Sequence, residues 1–208
     1  MSKENRMSDN IKLALFVAII ILLSVTPLGY ISLGVINATT IQIPVILGGI
    51  LFGWKKGAFL GFVFGITSLI KNTIQPGITS FVFSPFIPVF GEEKGSFLAL
   101  IVCLIPRIMI GMVSAFLYNV LSKTKIQKPV SCAICGFFGS LTNTIFVMGG
   151  IYFFFGHSYS AARSEAYETL IGTVMATITG IGVTEAAVSA VLAMAVCVPL
   201  LKYLNSAK

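Results

Sequence analysis

Long apolar runs take up most of this chain, and they decide what it can be. They fall at about 11–28, 39–53, 57–71, 97–121, 130–155 and 173–204. A helix needs about 20 apolar residues to cross the roughly 30 Å hydrocarbon core of a bilayer. Backbone amides in hydrocarbon must bond within their own segment, and the alternation of a membrane barrel is missing, so the runs are expected to be helices. Charged residues make up only 10% of the sequence, against about 25% in an ordinary soluble domain. Lipid must therefore solvate most of the surface. The sequence predicts an all-α integral membrane protein, a single domain over residues 1–208 with six transmembrane helices.

Lysine and arginine placement orients the spans. With the N-terminus inside, the inner segments carry Lys3, Arg6, Lys12, Lys55, Lys56, Lys123, Lys125, Lys128, Lys202 and Lys208, and the outer ones only Lys71, Lys94 and Arg163. That asymmetry follows the positive-inside rule and predicts both termini in the cytoplasm, with Lys55 and Lys56 at a tight inner turn. The same pattern accounts for the net charge of +7 without nucleic acid. The first run follows the charged "MSKENRMSDN" and has no small-x-small cleavage site after it, so it reads as a retained span.

The outer connections are then 29–38, 72–96 and 156–172. The middle one, "NTIQPGITSFVFSPFIPVFGEEKGS", joins the third helix to the fourth. Its prolines stop helix formation, while Phe81, Phe83 and Phe86 are too apolar to remain in water. Such a loop is expected to fold back as a lid. Gly57, Gly61 and Gly65 put a smooth stripe on the third helix for close packing against a neighbour, and Ala14 and Ala18 give the first helix a similar patch. Cys132-x-x-Cys135 has metal or dithiol spacing, but in "SCAICGFFG" it reads as small hydrophobes, and no metal site is expected.

Against this apolar background the polar residues stand out. Arg107 in "CLIPRIMIG" and Glu185 in "GIGVTEAAVSA" fall at comparable depth inside spans. Neither should face lipid, because a charge near the bilayer centre costs about 2.5–3.5 kcal/mol on insertion scales. Two readings stand: the residues pair and pin the fourth helix to the sixth, or Arg107 meets an anionic ligand group with its planar fork. Asn37, Thr39, Thr40 and Gln42 open the second helix, Asn72 and Thr73 end the third, and Asn143 and Thr144 lie in the fifth. Helix capping and interhelical bonds explain part of this set. Donors and acceptors from several helices under an aromatic loop also suit an enclosed site for a small polar ligand.

Enzymatic chemistry has no residues to work with. His157 and Asp9 are the sole histidine and aspartate, both outside the spans, and neither a zinc-protease motif, a G-x-S-x-G elbow nor a phosphate-binding loop occurs. No catalytic residue or cofactor is expected, and any active transport must draw its energy from another protein.

The blocks "INATTIQIPVILGGILFG" and "GAFLGFVFGITSLI", the loop segment "TSFVFSPF" and the sixth-helix start "GIGVTEAAVSAVLAMAVCVP" resemble the substrate-binding S components of energy-coupling-factor (ECF) transporters, and among them the pantothenate-type group. The resemblance covers nearly the whole chain. It implies a six-helix protein of the cell membrane, with both termini inside, that captures a water-soluble vitamin from outside under its first and third loops. It also implies partners: a transmembrane coupling protein and two ATPase subunits, with toppling in the membrane to release the cargo. The coupling-protein contact would be Ala14 and Ala18. Pantothenate carries a carboxylate suited to Arg107 and an amide and hydroxyls suited to Asn37, Gln42, Asn72 and Asn143; Thr39 and Glu185 complete the expected site. Biotin and nicotinate also bear carboxylates and stay open as ligands, as does a stand-alone secondary carrier.

Overall fold

The computed structural model describes residues 3–33 and 36–206, with side chains over 10–29 and 39–201. Among these, helices α1 (Lys3–Val25), α2 (Gln42–Phe52), α3 (Trp54–Ile74), α4 (Leu98–Leu121), α5 (Lys128–Ala162), α6 (Tyr167–Thr177) and α7 (Val183–Ser206) form the protein, with a π-helical turn at Ile178–Gly182 joining α6 to α7. Four stretches, 54–74, 98–121, 128–162 and 167–201, are long and apolar enough to cross a membrane, while 10–25 and 42–52 are shorter apolar helices.

The all-α bundle carries one addition and one correction at the first connection. β1 (Tyr30–Leu33) and β2 (Ile36–Thr39) pair there as a short antiparallel hairpin, with Tyr30 opposite Thr39. The expected span 39–53 shrinks to eleven residues, about 17 Å of helix, because Thr39 and Thr40 are spent on the turn out of the hairpin. Thr40 bonds back to Gly29 and Leu28 instead of continuing a helix. Pro44 is harmless where it stands, since the first turn of a helix has no use for its N–H.

This short helix is the centre of the molecule. Nearly every residue of α2 is buried, as a helix apolar on all sides should be, and α1, α3, α4, α5 and α7 all touch it. Gly53, at φ 83°, stops α2 and lets α3 start at once, so the two run antiparallel with Lys55 and Lys56 at the turn. The glycine stripe of α3 packs within the molecule. A Cβ on Gly61 would collide with the Arg107 carbonyl oxygen, and one on Gly57 would lie 2.8 Å from that of Gly111. Main chain thus rests on main chain between α3 and α4.

The far end of the chain also departs from expectation. The connection placed at 156–172 is mostly helical, because α5 runs on to Ala162 and α6 begins at Tyr167. His157 stacks on Tyr167 at 3.9 Å, and Tyr167 stacks on Tyr152 at 6.3 Å, which folds α6 back along α5. Cys132, Cys135 and Cys197 are free and packed in the apolar core with Ile46 and Ala193.

Candidate functional site

Pro106 sets the position of Arg107. A proline inside a helix has no N–H for the carbonyl four residues back, which here is Val102 of α4. Arg107 fills the gap by donating from Nη1 to that oxygen at 3.0 Å. The side chain runs back toward the start of its own helix, as helical side chains do. It thereby reaches the loop at 75–97, where Phe83 lies 5.0 Å from the guanidinium, with Phe64 of α3 at 5.8 Å. Arg107 is only 8% exposed.

Hydroxyl and amide groups tie the loop down. Asn72 donates to the Ser68 carbonyl and accepts from Ser80 Oγ, each at 2.9 Å, and Ser80 Oγ accepts in turn from the Gly77 amide. Thr73 and Ser84 share a hydroxyl bond at 2.7 Å. Asn72 thus serves as an anchor of the loop. The three phenylalanines expected as a lid behave differently. Phe81 is buried edge-on to Phe155 at 6.0 Å, and Phe83 is half-buried over Arg107. Phe86 instead points outward, 72% exposed, while Ser84, Ile87 and Val89 around it face the bundle.

Below the loop, four helices contribute to one polar layer. Gly150 of α5 abuts Val102 of α4 and Gly139 abuts Ser114, so the backbones of Arg107 and Asn143 lie at a similar intermediate level on adjoining helices, while the Arg107 guanidinium is held nearer the loop at Val102. Thr144 touches Gly182 of the π-helical turn, which places Glu185 of α7 nearby. Gln42 completes the layer from α2, donating from Nε2 to Ser140 Oγ and Ser189 Oγ at 2.9 Å each. Two buried acceptors in this layer, Asn143 Oδ1 and Gln42 Oε1, have no hydrogen-bond partner. A buried amide oxygen left unsatisfied costs about 1–3 kcal/mol, and such groups in a native fold ask for an occupant.

Arg107 and Glu185 do not pair. Glu185 Oε1 accepts instead from the Thr39 amide at 2.8 Å and the Thr39 hydroxyl at 3.1 Å, fastening the end of β2 to α7. The reading in which they pin the fourth helix to the last gives way because Arg107 is held by the backbone of its own helix and Glu185 by the end of the hairpin. The side chain of Asn37 lies outside the described residues. Ala14 and Ala18 are exposed on α1. Sequence reasoning missed Ser140 and Ser189, the partners of Gln42; their signal was a hydroxyl beside a small residue in an apolar helix. A recess of about 770 Å³ between α1 and α3 is apolar over Ile21, Val25, Phe59, Phe62 and Ile66 and holds no member of the polar layer.

A family model described as "ECF transporter, substrate-specific component" matches residues 9–201. Pantothenic acid transporter PanT of Lactococcus lactis subsp. cremoris (strain MG1363) is 34% identical over 206 residues, covering 98% of this chain and 99% of that protein. Pantothenate transporter PanT of Leuconostoc mesenteroides subsp. mesenteroides is 31% identical over 141 residues, 64% of this chain and 62% of its own. Family and relatives alike are transporters rather than enzymes. With a match that runs through all of its apolar helices, this chain belongs to the substrate-specific components of ECF transporters.

Proposed function

We propose that this protein captures pantothenate at the outer face of the cell membrane and delivers it as the S component of an ECF transporter. The reading draws on the names of its relatives. It rests most directly on one observation: the buried Arg107 guanidinium packs against Phe83 of a tethered aromatic loop, on a helix that adjoins the one carrying the unsatisfied Asn143 Oδ1. A carboxylate would take the fork of Arg107, and the hydroxyl or amide N–H of the same ligand would donate to Asn143. Phe81 and Phe83 would close over it. Thr39, Gln42, Asn72 and Glu185 would shape the chamber, and Asn37 stays among the residues expected to bind the vitamin. Lysine placement supports termini on the cytoplasmic side. The chain has no nucleotide-binding loop, so two partner ATPases and a coupling protein seated against Ala14 and Ala18 would supply the driving force.

The test is a thermal-shift and equilibrium-binding panel of pantothenate, biotin and nicotinate on the purified protein, repeated on Arg107→Ala. Pantothenate should stabilise the wild type at micromolar concentration or below, and the variant should lose that response. Stabilisation by biotin or nicotinate alone would replace the ligand and keep the class. Uptake in cells lacking the partner ATPases would favour a stand-alone carrier.

A further inference from the structure

A second polar site lies beside the first, between α2 and α7. A recess of about 10 Å³ is lined by Thr39, Thr40, Gln42, Glu185 and Ser189, with Ile43, Val188 and Leu192 as its apolar wall. That volume holds about one water-sized particle.

The groups around it are almost all acceptors. Gln42 is 1% exposed, and its Oε1 has no partner while Nε2 is committed to Ser140 and Ser189. Both bonds to Glu185 land on Oε1, leaving Oε2 without a donor among the described residues. The Thr39 hydroxyl has given its hydrogen to Glu185 and the Thr40 hydroxyl to Leu28, so each offers only lone pairs inward. The Ser189 hydroxyl hydrogen is the one donor left over. Glu185 also has no cationic side chain within salt-bridge distance among the described residues. A lone carboxylate among hydrocarbon helices is costly unless something positive meets it.

We infer that this recess binds one sodium ion, held by the Glu185 carboxylate, the Gln42 amide oxygen and the hydroxyl oxygens of Thr39, Thr40 and Ser189. Hard oxygen donors select hard cations. One formal charge in the ligand set balances a monovalent ion, whereas a divalent ion would leave an excess charge buried. Thiols and imidazoles are missing from the set, which argues against a transition metal. The ion would tie the end of β2, the start of α2 and the first two turns of α7 together. This site does not depend on which vitamin is carried.

The experiment uses the purified full chain without vitamin, with sodium chloride exchanged for choline chloride at constant ionic strength. Sodium should raise the melting temperature by roughly 5–10 °C at saturation, and radioactive sodium should bind at one ion per chain. Glu185→Gln should abolish both responses, and Ser189→Ala should weaken sodium binding severalfold while leaving the fold intact. Equal melting in sodium and choline would overturn the site, as would sodium binding that survives Glu185→Gln. A half-turn of the Gln42 amide, offering its NH2 to Glu185 instead, would also remove the ion, and would show as stability indifferent to sodium. Either failure leaves pantothenate capture standing, because no vitamin is present in the assay.

Discussion

Arg107 Nη1 bonds the carbonyl of Val102 at 3.0 Å, the acceptor that Pro106 leaves without its helical donor. One side chain therefore mends its own helix and carries the positive charge of the candidate site. The two roles separate in a double variant. Arg107→Met should cost about 1–3 kcal/mol of stability by orphaning Val102 and at least about tenfold in pantothenate affinity, or 1.4 kcal/mol. Adding Pro106→Ala returns an N–H to Val102 and should restore the melting temperature but not the affinity. Recovery of both would show that Arg107 acts through the helix alone.

Asn72 and Ser80 hold the loop at 75–97 to the end of α3. Asn72→Ala or Ser80→Ala should loosen it by about 1 kcal/mol, seen as faster amide exchange and protease cleavage there. Because the two residues share one bond, the double variant should lose less than the sum.

Gly61 has the Arg107 carbonyl where its Cβ would go. Gly61→Ala should destabilise the protein by about 1–3 kcal/mol and weaken ligand binding as well, since α4 must shift. Gly149 has nothing within 4 Å of the same position, so Gly149→Ala should be neutral or slightly stabilising. Equal melting of the two variants would show that the close approach of α3 to α4 is dispensable.

Ala14 and Ala18 are exposed on α1. Leucine at both should leave melting and vitamin affinity unchanged while abolishing uptake in cells that express the coupling protein and ATPases. Loss of affinity instead would place the effect inside the molecule.

Periodic and compositional features were legible in the sequence because the bilayer imposes them. The apolar runs that became helices and the glycine stripe of α3 follow from the need to satisfy backbone and approach closely in lipid. Pairings across the chain were not legible. Glu185 chose Thr39 over Arg107, and Gln42 chose Ser140 and Ser189, because such choices depend on how helices rotate against one another. The hairpin at 30–39 hid for a related reason: four-residue strands carry too few residues to display a period. The extension of α5 rests on His157 meeting Tyr167, a contact between segments ten residues apart that no local propensity announces.

The central post of the bundle, α2, is eleven residues long, little more than half the thickness of the hydrocarbon. Under the proposed capture of a vitamin, the room above its first turn would be set by that helix length rather than by any one side chain. Four residues inserted before Gln42 would then raise a plug into that space, and the protein would fold without binding pantothenate.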